Sequence, residues 1–551
     1  FDNEGIITSN PGGYYLYTDF RGTDLHNGGT WTNQMLILSG TAAQNISNSF
    51  STPFSPVYVS CDNGNGVIAK SDLEFVNSLI NFNGNYYIDL TEGYNLYISG
   101  GYMNNTRIIG SGTVAKAQSE FEAGNGFYMQ NTSLENLIMR GTFELSNDNC
   151  SLNGSILNYA TIQNRSSYDY TLTINGDFDN EGIITSNPGG YYLYTDFRGT
   201  DLHNGGTWTN QMLTFSGTAA QNISNSFSSP FSPVYVSCEN GNGVIAKSDL
   251  EFVNSLINFN GNYYIDLTEG HNLYISGGYM NNTRIIGAGT TAKVQSEFEA
   301  GNGFYMQNTS LEDLITRGTF ELSNDNCSLN GSILNYATIQ NKSSYTYTLT
   351  INGDFDNQGI LQNGTIYDLN INVNGSVKNS GTWTNTTTSF TGTADQQIVL
   401  TYGSEIASTY LYFVSEIVDA PYEWHFNNSP IEATNTDFSG IDIDVLRWLV
   451  PIDLDNSGSY YCQTNAGPTR KIFVYDGILP VPVITGGGHE NGISSIFWEN
   501  IPAASSYKVY SSSDPYADPS TWTFETEVYT NECSIPGQTD QKKFYFVTAV
   551  Y

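Results

Sequence analysis

The chain repeats itself. FDNEGIITSNPGGYYLYTDFRGTDLHNGGTWTN starts at Phe1 and starts again, letter for letter, at Phe178. The period is 177 residues, and the two copies differ at 12 positions, including Ile37/Thr214, Leu38/Phe215, Tyr94/His271, Met139/Thr316 and Asp169/Thr346. A third start, FDNQGI, lies at Phe355 and diverges quickly. It keeps GTWTN at Gly381–Asn385 and TGTADQQI at Thr391–Ile398. A unit that recurs in tandem must pack against copies of itself, so this feature constrains the fold more than any local propensity.

Short apolar pairs precede glycines inside the unit: Leu79-Ile80 before Gly84, Ile108-Ile109 before Gly110, and Leu137-Ile138 before Gly141. Strand-like alternation occurs at Val57, Val59 and Cys61 and at Leu172 and Ile174, and no helix-length window holds a 3.6-residue period. The expectation is an all-β chain in which each copy forms about six to eight coils of about 20–30 residues in a parallel β-solenoid (β-helix). Asn and Gly suit its corners because both tolerate a left-handed backbone. A string of β-sandwiches, two per copy, is the rival, but the copies lack a Trp at core-strand spacing and a tyrosine corner.

Composition narrows the function. There are 54 acidic residues against 19 basic ones, a formal charge of −35. Such a surface repels phosphate backbones and anionic lipid heads, which argues against nucleic-acid binding. With 39 Tyr, 29 Phe and 7 Trp the chain is unlike acidic disordered sequences. No stretch approaches the roughly 18 apolar residues of a membrane helix, so no membrane insertion is expected. Phe1 opens in mid-pattern, as in a mature form or a fragment.

The expected layout is solenoid repeats at 1–177 and 178–354, a partial divergent repeat at 355–400, and two further modules at 401–477 and 478–551. Trp424 in PYEWHF and Gly458, Tyr460 and Cys462 in LDNSGSYYC make the first module resemble an immunoglobulin-like domain, with Asn456 where that signature has Asp. The resemblance implies a buried Trp424, a tyrosine corner at Tyr460, and Cys462 as a lone buried thiol. No cysteine precedes Trp424 nearer than Cys327, so aromatic packing from Tyr410–Val414 must replace the bridge. After the linker Ile478–Gly488, the second module resembles a bacterial fibronectin type III domain, on Trp498, Tyr507–Tyr510 and Phe544–Val550. Such modules commonly end bacterial surface and secreted proteins, so the resemblance implies export and display rather than a chemistry.

Candidate chemistry is sparse. Glu120 and Glu122, repeated at Glu297 and Glu299, flank an apolar Phe and suit either an acid/base pair or a solvated strand face. The solvated face is favoured because no clustered Arg or His completes a site. His26 and His203 sit in LHNGG and are expected in surface turns; His271 replaces Tyr94. No cofactor is implied. Asp62-Asn63-Gly64-Asn65-Gly66 and Asn147-Asp148-Asn149 offer oxygens to a structural calcium, or are turn chemistry alone. Cys61 and Cys150, repeated as Cys238 and Cys327, either pair within a copy or lie as core thiols. Tyr86, Tyr87, Tyr263 and Tyr264 are candidates for stacking on glycans, along with Tyr14, Tyr15 and Tyr17. An aromatic ladder along the rod is the favoured alternative.

A second full copy adds little to an enzyme but adds length or avidity to a rod or a multivalent binder. The expectation is a non-enzymatic, secreted or cell-surface structural protein that self-associates into a filament or surface layer. A glycan-binding adhesin is the alternative, and a polysaccharide-active enzyme comes third.

Overall fold

The computed structural model describes the chain except residues 84–85, 114–117, 166–167, 261–262, 291–293, 343–344, 402, 477–481, 491–492, 499–505, 516–520, 537–542 and 551. Gly84 and the start of the Ile478–Gly488 linker therefore lie outside the described residues. Phe1–Cys327 forms one compact unit and Ser328–Tyr551 a second. The chain is all-β, and its body is a parallel β-solenoid of about 18 turns. Among the described residues the one helical element is a single turn at Leu454–Asn456, and no helix is long and apolar enough to cross a membrane.

In the first unit each coil is a triangle of short strands. Asp2–Asn3, Ile6–Thr8 and Tyr17–Phe20 start three faces, and each pairs in parallel with the matching strand one coil on: Asp24–Asn27, Thr30–Thr32 and Met35–Leu38. Register offsets between coils run from 16 residues (Tyr128 to Glu144) to 26 (Tyr102 to Tyr128). The coils are thus shorter than expected, because strands of three to five residues close each side. Gly141 shows how tight a corner is. It lies at φ +85° within Ile138–Leu145, which turns from one face onto the next, and a Cβ there would meet the Ala123 carbonyl at 1.9 Å.

The strand count has a consequence for the repeat. From Asp2–Asn3 to its copy in Asp177–Asn180 the chain takes twenty-five face steps, counting the Phe54 bridge and the two halves of Ile138–Leu145. Three steps make a coil, so one copy advances eight coils and one face. Every feature of the first copy recurs in the second on the neighbouring face. Trp31, Phe54 and Phe75 line up on the second face, whereas Trp208, Phe231 and Phe252 line up on the third.

Those rings fill the core. Trp31–Phe54 and Phe54–Phe75 centroids lie 5.5 and 5.6 Å apart, and the second copy repeats the stack. Burying each large apolar side chain is worth about 1.5–3 kcal/mol. Polar ladders run beside them. Asn158 donates to Asn180 and Asn180 to Asn204, each at 2.8 Å, with all three side chains buried. Corner asparagines therefore do two jobs. Some, such as Asn77 and Asn131, take positive φ as expected, and others satisfy buried backbone carbonyls from inside the coil.

Two expectations are corrected here. Val57 does not share the inner face with Val59 and Cys61. It is 46% exposed and precedes the strand Tyr58–Cys61. His26 and His203 are not turn residues; they lie outward on the strands Asp24–Asn27 and Asp201–Asn204, half-buried, and the turn begins only at the glycines that follow. All six cysteines are unpaired and buried.

In the second unit, coils end in an antiparallel sandwich. Ile472–Asp476 adds in parallel to Gln396–Leu400, the last strand of one face, and Gly458–Thr464 and Glu423–Phe426 follow it antiparallel. On another face Val445–Trp448 adds antiparallel to Tyr410–Val414. The sandwich thereby covers solenoid edges that would otherwise offer unpaired backbone groups. Trp424 is buried opposite Cys462, and the Tyr460 hydroxyl donates to Asn456 O at 2.8 Å, forming the expected tyrosine corner. Phe413 of Tyr410–Val414 packs edge-on against Trp448 and Tyr460, filling the place of the missing bridge.

The last module has two three-stranded antiparallel sheets, Ile484–Glu490 with Ile493–Trp498 and Glu532–Ile535, and Thr523–Val528 with Ser506–Ser512 and Phe544–Val550. Trp498, Tyr507, Val509 and Val547 belong to one core.

Candidate functional site

Tyr86 and Tyr87 are half-buried, as are Tyr263 and Tyr264. Tyr87 lies on the first face beside Arg107, and Tyr264 lies on the second face beside Arg284. The two pairs point in different directions, so they do not form one stripe for an extended ligand. The outer tyrosine stacks lie elsewhere: Tyr102 on Tyr128 and Tyr279 on Tyr305, each with centroids 4.8 Å apart. Tyr14, Tyr15 and Tyr17 are exposed.

Glu120 and Glu122 flank the buried Phe121 and both face outward. Glu120 accepts a two-pronged ion pair from Arg140, at 2.7 Å from Nε and 3.2 Å from Nη2. Glu297 repeats it with Arg317.

Glu122 instead belongs to a groove. Glu74, Tyr97 and Glu122 stand in register on three successive strands of the second face. Above them Phe50 is 98% exposed, and the open space lined by Phe50, Tyr94, Tyr97, Asp72, Glu74 and Glu122 is about 930 Å³. The second copy carries the same groove on the third face, about 740 Å³, with Phe227 fully exposed and His271 in place of Tyr94. Ser51 and Ser228, next to these phenylalanines, hold φ of 66° and 69°. The loop is pinned from inside, since Asn27 Nδ2 donates to Thr52 O at 2.9 Å and Pro53 O at 3.2 Å. A left-handed non-glycine residue beside an exposed aromatic is the kind of cost that a fold keeps at sites of recognition. Burial, with the Asp72 charge behind it, pushes the Tyr97 phenol above its ordinary value, so it stays a neutral donor. An aromatic face with flanking carboxylates suits a polyhydroxylated ligand. Sequence reasoning missed Phe50 and Phe227; the signal was a Phe inside a Ser-rich turn, away from any strand alternation.

A second cluster surrounds each outward histidine. Asp179, Glu181 and His203 bring one ligand atom each within 4.8 Å of one another, and Asp2, Glu4 and His26 do the same. The Ser224 and Ser226 hydroxyls lie 2.8 and 3.1 Å from His203 Nδ1 and Nε2 and orient the ring.

The turns weighed for calcium spend oxygens on the backbone. Asn63 Oδ1 accepts from Asn65 N and Gly66 N, both at 2.7 Å, and Asp148 Oδ1 accepts from Thr171 N at 2.7 Å.

No family model and no curated protein matches the chain. Among solved structures, titin domains A168–A170 match at 10% identity over 24% of this chain and 49% of that one, with a TM-score of 0.12. The chain spans about half the length of that titin fragment. The CD2-binding domain of CD58 (lymphocyte function-associated antigen 3) matches at 12% identity over 28% of this chain and 98% of that one, also with a TM-score of 0.12. Likenesses of that size carry no argument about fold or function.

Proposed function

We propose that the protein is a structural, extracellular or cell-surface component, a β-solenoid rod that self-associates into a filament or surface layer. The observation that carries this is the step of eight coils and one face per copy. Duplication lengthens one stack and points equivalent residues in new directions, which gives length and multi-sided display. An enzyme draws nothing from either. The charge of −35 keeps a long repetitive β surface soluble and opposes uncontrolled side-by-side association. Electron microscopy of the native material tests it: ordered filaments or layers are expected, and dispersed single chains would overturn it.

The groove at Phe50 and Phe227 favours a second reading, an adhesin that holds glycans on two faces at once. A glycan array separates the two. Selective binding that vanishes in the Phe50→Ala/Phe227→Ala variant supports adhesion, and a blank array supports scaffolding alone.

A further inference from the structure

We propose that Asp179, Glu181 and His203 form a binding site for a divalent transition-metal ion of the zinc class, and that Asp2, Glu4 and His26 form its copy. Asp179 faces His203 in register across neighbouring strands, and Glu181 follows at the corner after Asn180, whose own side chain is committed to the internal ladder. The three ligand atoms lie within 4.8 Å of one another, near enough for small side-chain rotations to bring them round one ion. Asp179 and His203 also line an outward cavity of about 280 Å³, which gives an ion a way in.

Two independent observations point to a cation. Asp179 Oδ1 is buried with no hydrogen-bond partner, and an acceptor of this kind costs stability until something positive meets it. The third copy then supplies the cation covalently. Lys378 stands in register opposite Asp356, where the other copies have His opposite Asp, and its Nζ lies 2.9 Å from Asp356 Oδ2. Gln358 stands where the other copies have Glu4 and Glu181, so the built-in charge comes with the loss of one carboxylate. The histidine copies keep two carboxylates and lack the lysine. An imidazole among carboxylates selects zinc-class ions over calcium or magnesium. On binding, one serine hydroxyl yields its ring nitrogen to the metal and the other keeps the ring oriented.

The test is metal counting on the full chain, stripped with chelator and equilibrated with zinc in equilibrium dialysis. The parent should hold two zinc ions per chain, His203→Gln one, and His26→Gln/His203→Gln none. Gln358→Glu/Lys378→His should raise the parent count to three, which gives an answer even where a His variant fails to fold. A parent that binds no zinc, a count unchanged in the double His variant, no gain in the third copy, or displacement of zinc by equimolar calcium would each overturn the proposal. With no zinc bound, the imidazolium of His203 is itself the cation facing Asp179.

Discussion

Arg470 donates from Nε to Gln396 Oε1 at 3.0 Å, 74 residues away in sequence. In the repeated copies the equivalent glutamine oxygen receives an asparagine instead, Asn63 for Gln44 and Asn240 for Gln221, each at 3.2 Å. Arg470 thus takes the place of a further coil. Its other donors reach Val414 O, Phe390 O and Glu416 Oε2 at 2.9, 2.9 and 2.6 Å, and the side chain is buried. It is the pin between the last coil and the sandwich.

Arg470→Met should therefore be among the costliest single changes in the second unit. It strands the Glu416 carboxylate, and breaking a buried pair by removing one partner costs about 3–5 kcal/mol. Denaturant unfolding followed by tryptophan fluorescence measures it. A loss below about 1 kcal/mol would show that Arg470 is not the pin.

Asn180→Leu should cost more than its exposed counterpart Asn175→Ala. Asn180 links Asn158 to Asn204 and also donates to Thr207 O at 3.2 Å, all in the interior, and each orphaned buried group costs about 1–3 kcal/mol. Asn175 makes a similar 2.8 Å bond to Asn153 in solvent, where the change should stay within about 0.5 kcal/mol. Equal losses from calorimetry would remove the internal ladder as a source of stability.

The solenoid was legible because the 177-residue period, the strand alternation and the Gly corners all agree. The face rotation was not, because offsets between 16 and 26 residues leave no fixed coil length to divide into the period. His26 was misplaced for a local reason. Its neighbours Asn27-Gly28-Gly29 spell a turn, but Asn27 points inward to hold the Phe50 loop and the strand runs through it. Arg470 was invisible because its side-chain partners lie 54 to 80 residues away. The tyrosine corner was visible because its partners, Tyr460 and Asn456, are four residues apart.

Burial pushes the Cys150 and Cys327 thiols up to about 12. The folded chain thus holds both protons more tightly than the unfolded chain, whose thiols titrate at about 8.5. The stability this provides is complete below about pH 8.5 and is lost as pH rises toward about 12. Cys150→Ala/Cys327→Ala should flatten that alkaline decline in denaturant midpoints. An identical decline in the variant would assign it to other groups. At neutral pH the native chain should resist thiol alkylation until denaturant is added.

Phe50→Ala and Phe227→Ala should leave the melting temperature unchanged, since both rings are exposed. If the grooves bind glycans, these variants lose that binding while Tyr86→Ala/Tyr87→Ala keeps it. The reverse pattern would move the site to the tyrosines.

The central claim is that the protein is a load of stacked coils built to make length and order. Cryo-electron microscopy of the assembled native material tests it most directly. The account predicts filaments or layers with axial order and a coil spacing of about 4.8 Å along the rod. A uniform field of separate single chains, with no axial order at any concentration, would contradict it.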